Sequence, residues 1–160
     1  VPPGAEGEVV IRGDQIPKGF WRMQTKTASD YRAAWFHTGD IGRRDERGFI
    51  FLVGRKDDLI ITAGFNVYPR EVEEVLYAHP AVADVAVVGI PDGDKGQSIK
   101  AFVVRRPGID TSEAALVEHC RSQLAKYKAP RAIEFLDALP KTASGKVQRF
   151  LLNGASTGRR

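Results

Sequence analysis

Cysteine is almost missing from this chain. The single thiol, Cys120, excludes an internal disulfide and any metal cluster of the Cys-x-x-Cys kind. Its setting, Leu116-Val117-Glu118-His119-Cys120, reads as one apolar helix position, hence a buried structural thiol rather than a nucleophile. A reducing cytoplasmic compartment fits that usage. Long hydrophobic runs are missing too: nothing approaches the ~18–20 consecutive apolar residues that span a bilayer, and no signal-peptide pattern opens the chain. Histidine is sparse. His37, His79 and His119 are scattered without a partner at metal-ligand or general-base spacing, so they receive no chemistry and no metal site is expected.

What is there is globular in composition. Of 160 residues 42% are hydrophobic and 28% charged, outside the disordered range. The net charge is +4, with a pI near 9.3. The positives gather late, at Lys126, Lys128, Arg131, Lys141, Lys146, Arg149, Arg159 and Arg160. That pattern permits an anionic partner without choosing among nucleic acid, a phosphorylated cofactor and a merely solvated face. The loop-like start Val1-Pro2-Pro3-Gly4 gives the expectation of a piece cut from something longer.

Along the chain, Gly7 to Gly13 is a short apolar run bounded by glycines and reads as a strand. Residues 14–36 show no clean period and read as a surface loop pinned by aromatics, with one short helix. Residues 37–55 form a hairpin turning at Asp45-Glu46-Arg47-Gly48. Leu59-Ile60-Ile61 is a strand, Ala63-Gly64-Phe65-Asn66 a turn, and Pro69 opens a helix that stops before Pro80. Val82 to Ile90 and Ser98 to Arg105 pair as strands around Pro91-Asp92-Gly93-Asp94. A second helix starts near Asp110, which with Glu113 resembles a capping box, and buries Leu116, Val117, Cys120 and Leu124. Ala132 to Leu136 is a last strand, Pro140 to Lys146 a polar loop, and Val147 to Leu152 a terminal helical turn.

The order from residue 59 is strand, helix, strand, strand, helix, strand. It predicts a compact α+β domain with helices on one side of a small mixed sheet. Residues 1–55 are β-rich and too few to bury a core, and read as the edge of a larger domain. The junction lies near Gly54–Asp58, with residues 56–160 as the small C-terminal domain; it is short and reads as a hinge.

Taken singly, the polar motifs have ordinary explanations. Lys146 follows Gly145 on a loop of small residues, but Val147 fills the Ser/Thr place of a phosphate loop, so no triphosphatase loop is present. Alone such a lysine reads as solvent-exposed; its functional alternative is a loop that carries an ammonium to a site elsewhere. Thr38-Gly39-Asp40 is either a turn capped by its own carboxylate or a ribose-diol ligand. Gly54-Arg55-Lys56-Asp57-Asp58 is either a solvated turn with an internal Arg–Asp pair or a nucleotide contact beside a pivot. Glu71, Glu73 and Glu74 suit the positive end of a helix dipole.

Together and in order, the motifs resemble one family, the AMP-forming acyl-CoA synthetases of the adenylate-forming superfamily. The stretches are Gly19-Phe20-Trp21 with Thr27, Trp35-Phe36-His37-Thr38-Gly39-Asp40, Gly54-Arg55-Lys56-Asp57, and Gly64-Phe65-Asn66-Val67-Tyr68-Pro69-Arg70-Glu71-Val72-Glu73. Ala125-Lys126-Tyr127-Lys128-Ala129-Pro130 and Pro140-Lys141-Thr142-Ala143-Ser144-Gly145-Lys146-Val147-Gln148-Arg149 complete them. The resemblance implies a two-step ligase using ATP, Mg²⁺ and coenzyme A, whose small C-terminal domain is a lid pivoting between half-reactions. By motif position it implies that Asp40 binds the ribose diol, Arg55 contacts the nucleotide, Asp57 is the hinge, and Lys146 bridges substrate carboxylate and α-phosphate. Gly64 and Phe65 fall where coenzyme A passes, and Asn66 at a phosphate-contacting position. The lid's partner is then its own N-terminal domain, absent here.

The family's phosphate-binding loop and acyl pocket precede these motifs, so the fragment alone is expected to be inactive. Lys18-Gly19-Phe20-Trp21-Arg22-Met23 and Gly145-Lys146-Val147-Gln148 look most like malonyl-CoA synthetases, favouring malonate or another short acid. A medium- or long-chain fatty acid is the alternative. A carrier-protein-loading adenylation domain is disfavoured by the tail Asn153-Gly154-Ala155-Ser156-Thr157-Gly158, which reads as an end. A nucleic-acid-binding module is disfavoured by aliphatic strands at 82–90 and 99–104.

Overall fold

The computed structural model describes residues 1–94 and 96–155; Arg159 and Arg160 of the basic group, and Ser156-Thr157-Gly158 of the tail, lie outside them. The chain divides into two compact units, Val1–Asp57 and Asp58–Arg160.

The first unit is a four-stranded sheet around one long strand. β1 (Glu6–Ile11) and β4 (Ile50–Arg55) run antiparallel to β3 (Trp35–Arg44), with the short β2 (Tyr31–Arg32) against the start of β3. Asp45 makes the β3–β4 turn: its carboxylate accepts from the Phe49 amide at 2.9 Å, and Gly48 takes a φ of 92° that favours glycine. The helix expected between residues 14 and 36 is α1 (Gln24–Asp30), and Phe20, Tyr31 and Phe36 pin the segment with ring centroids 5.0–6.4 Å apart. β2 was not anticipated. It turns on Ala33-Ala34, both in the left-handed region (φ 50° and 65°), where alanine carries no turn signature.

Among the described residues of this unit only Gly42 is fully buried. Phe49, Ile50, Phe51 and Leu52 are each at least half exposed. A sheet with so little buried apolar surface offsets little of its ordering entropy.

The second unit has a core. β7 (Val82–Asp92) and β8 (Gly96–Arg105) form a long antiparallel ladder, β9 (Ala132–Phe135) lies parallel to β8, and the hairpin β5 (Ile60–Thr62)–β6 (Phe65–Val67) joins β8 through Thr62 opposite Gly96. The sheet is therefore mixed. The near-continuous apolar run of β7 is explained by burial on both faces. Val85 and Val87 point with Ile99, Ala101 and Val103 to a core closed by α2 (Pro69–Tyr77) and α3 (Glu113–Gln123) through Val72, Leu76, Leu116 and Cys120. Ala86, Val88 and Phe102 face the other way, against Leu139 and Leu152.

Leu152 belongs to α4 (Arg149–Ala155), so the expectation of helices on one side needs correction: a third helix covers the second face. Its seven residues are too few to show a period. The cap of α3 also differs. Ser112 Oγ accepts from the Ala115 amide at 3.2 Å, while Asp110 turns to the Thr111 amide and Arg105. His119 also has partners. It meets the Val75 carbonyl at 3.0 Å, and its ring stands edge-on to His79 at 5.0 Å. No helix among the described residues is long and apolar enough to cross a membrane.

Candidate functional site

Asp40 and Arg55 face each other on paired strands, opposite in register. Arg55 Nη1 donates to Asp40 Oδ1 at 2.9 Å and to the Thr38 carbonyl at 3.1 Å. The Arg–Asp pair suggested within the 54–58 turn is thus formed across the ladder instead. Thr38 sets the backbone: its hydroxyl donates to the Val9 carbonyl at 2.8 Å and accepts from the Asp40 amide at 3.0 Å. Gly39, between them, has a φ of 72°, a conformation a side chain would strain. With Oδ1 taken, no further hydrogen bond holds the Asp40 carboxylate among the described residues, so Oδ2 is available to a diol.

This pair lines a cleft of about 600 Å³ that Asp57 also lines. On the cleft wall Glu8 gathers basic side chains: His37 Nδ1 at 3.1 Å, Lys56 Nζ at 3.5 Å and Arg32 Nη2 at 3.8 Å. The His37 hydrogen bond, helped by Lys56, outweighs burial and holds the Glu8 carboxyl below its ordinary range. The sequence reading left His37 without a partner, and Glu8 and Lys56 without a role. Glu8 sits 29 residues from His37 in sequence, and no local pattern announces that pair.

In the second unit Gly64, Phe65 and Asn66 share the β5–β6 hairpin. Ala63 and Gly64, with φ of 48° and 81°, make its two-residue turn, so Thr62 pairs with Phe65. A Cβ on Gly64 would meet nothing within 4 Å, so within this chain glycine is required by dihedral and not by space. Phe65 is 52% exposed and stacks on Tyr127 at 4.4 Å, while Asn66 is exposed beside it.

Lys146 occupies a separate, well-defined loop. Gly145 N donates to Thr142 O at 2.9 Å and Thr142 N to Lys146 O at 2.8 Å, with Gly145 at a φ of 82°. This is a tight hairpin closed by a left-handed residue. Thr142 Oγ1 accepts from the Lys146 amide at 3.1 Å, and Lys141 bridges to Val147.

The late basic group is mostly neutralised. Lys128 binds Glu71 at 2.6 Å, Arg131 binds Asp92 at 2.6 Å, Lys141 binds Asp84 at 2.5 Å, and Arg149 binds Glu73 at 2.8 Å. Glu71 and Glu73 therefore do more than favour a helix dipole. Among the described residues Lys126 and Lys146 make no ion pair, and both are exposed. Lys146 is thus an unneutralised ammonium on an ordered tip between two tied basic neighbours. Among the described residues no group of three His, Cys, Asp or Glu is placed to hold a metal ion.

The arrangement offers a diol acceptor beside a guanidinium in the first unit, and an ammonium and a glycine turn in the second. Residues 71–146 match the family model of the AMP-binding enzyme C-terminal domain. The chain is 46% identical, over 92% of its length, to a long-chain-fatty-acid–CoA ligase of Bacillus subtilis, spanning 26% of that protein. It is 44% identical to a 2-succinylbenzoate–CoA ligase of Bacillus mycoides, over 93% of this chain and 31% of the other. Among solved structures, ATP-bound MatB from Rhodopseudomonas palustris superposes with a TM-score of 0.91 at 42% identity, over 99% of this chain and 32% of that one. The chain thus spans about a quarter to a third of the length of the relatives it matches.

Proposed function

We propose, since the chain belongs to the AMP-binding enzyme C-terminal domain family of the adenylate-forming superfamily, that it is the C-terminal part of an acid–CoA ligase. A carboxylate oxygen attacks the α-phosphorus of ATP, the bond to pyrophosphate breaks, and acyl-AMP forms. The thiol of coenzyme A then attacks the acyl carbon and AMP departs. Residues 1–55 are the edge of the large domain and residues 56–160 the lid, turning about Asp57. The enzyme works in the cytoplasm, in keeping with its single unpaired thiol.

In this reading Asp40 accepts the ribose hydroxyls and Arg55, already oriented by Asp40 and Thr38, contacts the nucleotide. Lys146 neutralises charge shared by substrate carboxylate and α-phosphate, Asn66 contacts phosphate, and Gly64 with Phe65 borders the path of the thiol. Coenzyme A, ATP and Mg²⁺ are the small-molecule partners, and no residue of this chain is assigned to the metal. The observation that carries the reading is Lys146 itself, exposed and, among the described residues, free of a carboxylate on a hydrogen-bonded hairpin whose other two basic residues are both paired.

The test is a pair of half-reactions in the full-length protein. Lys146→Ala should cost adenylation about 10²–10³-fold, the scale of one lost charge-stabilising donor. Thioester formation from supplied acyl-AMP should persist; equal loss of both half-reactions sinks the assignment. For the acid we propose malonate or another short acid, from the motif resemblance around Gly19 and Lys146. The 46% identity to a long-chain-fatty-acid–CoA ligase favours a fatty acid as the second reading. Acid-dependent pyrophosphate release across malonate, acetate and fatty acids decides between them.

A further inference from the structure

The root of the Lys146 hairpin is held by one part-buried ion-pair network. Arg149 Nη2 donates to Glu73 Oε1 at 2.8 Å and Oε2 at 3.0 Å, a bifurcated, charge-assisted contact from one nitrogen of the planar guanidinium. Glu73 is only 8% exposed and also accepts from the Val87 amide at 2.8 Å, so the anchor is tied to both α2 and β7. The second arm, Arg149 Nη1, reaches Asp58 Oδ2 at 3.2 Å, 91 residues away in sequence. Arg149 Nε is buried and bonds nothing among the described residues, so the two Nη groups alone hold the side chain. At the other root, Lys141 is clamped to Asp84, which also accepts from the Tyr77 hydroxyl at 2.5 Å.

Asp58 is the first residue of the second unit and follows Asp57. We infer that Arg149 is a positioning residue: with Asp58 and Glu73 it locks the Lys146 hairpin to the segment leaving Asp57. Lys146 then moves as one rigid body with the residues that turn, and its ammonium arrives at a fixed place. This rests on the adenylation role proposed for Lys146. Adenylation needs that placement, whereas thioester formation does not use Lys146, so loosening the lock separates the half-reactions. A displacement near 1 Å in such an arrangement costs on the order of 10²-fold.

The experiment measures both half-reactions, with KM for ATP, in the full-length protein carrying Arg149→Lys, Asp58→Asn, both, or Lys146→Ala. Arg149→Lys should lower the adenylation rate about 10- to 100-fold, with KM and thioester formation from supplied acyl-AMP within about threefold. Asp58→Asn should fall the same way by less, and the double variant should be no worse than Arg149→Lys, since both remove one link. A purely structural role would lower both half-reactions together, and an unchanged ratio in either single variant overturns the inference. If Arg149→Lys does not fold, the partly exposed Asp58→Asn decides alone. Adenylation surviving Lys146→Ala would overturn the parent reading. Adenylation lost there, with the wild-type ratio in Arg149→Lys and Asp58→Asn, would overturn only this one.

Discussion

Replacing Glu73 by alanine should loosen the second unit. The loss has two parts. The buried Val87 N–H loses its acceptor, which costs about 1–3 kcal/mol for an unsatisfied donor. Arg149 loses its Glu73 partner, but its side chain is 26% exposed and keeps Asp58 at 3.2 Å. Its share is therefore well below the ~3–5 kcal/mol of a fully stranded buried charge, and about 1 kcal/mol is the reasonable figure. The sum, about 2–4 kcal/mol, is a large part of what a domain of this size has.

Hydrogen exchange at the central β8 amides, Ala101 to Val103, should accelerate roughly 30- to 1,000-fold in Glu73→Ala, at tenfold per 1.4 kcal/mol. Glu73→Gln keeps an acceptor for Val87 and should lose about half as much free energy. Exchange in β8 unchanged within threefold in Glu73→Ala would refute the reasoning, since it would mean the network holds nothing.

Three further outcomes follow from single residues. Gly64→Ala should destabilise the hairpin by about 1–2 kcal/mol through its φ of 81°; Gly64→Asn, which tolerates that dihedral, should recover stability yet slow thioester formation in the full-length protein, and a full recovery of both would remove the thiol-path role. Burial pushes the Cys120 thiol up to about 11, so at pH 8 native protein should react with a disulfide reagent at least ~100-fold more slowly than urea-unfolded protein, and comparable rates would contradict the buried assignment. Burial first and His119 second hold His79 below its ordinary 6.5; because the folded state resists the proton, stability is complete above 6.5 and falls as pH drops below it, so His79→Gln should flatten the decline in urea midpoint between pH 7 and 5, and an unchanged slope would refute the linkage.

The parts of the fold legible in advance were those whose cause is local. Pro69 at a first helical position, Asp45 and Gly48 in a hairpin turn, and the β-rich run of β7 each act over a few residues, and each element stands where that logic put it. What escaped was set by partners distant in sequence or by competition among equals. Asp110, Thr111 and Ser112 all carry cap-forming side chains; Ser112 caps the helix, while Asp110 accepts from the Thr111 amide and lies 3.4 Å from Arg105. The same limit governs the candidate site. The motifs named Asp40, Arg55 and Lys146, yet no spacing rule could attach Arg149 to Asp58 across 91 residues or Glu8 to His37 across 29. Those long-range pairs separate a basic residue that is neutralised from one that is not. Lys141 and Arg149 look no different from Lys146 in composition; their carboxylate partners, Asp84, Glu73 and Asp58, leave Lys146 as the ammonium of its loop that makes no ion pair among the described residues. Charge counted along a chain therefore overstates what a ligand can meet, and the usable charge is what remains after the fold has spent the rest on itself.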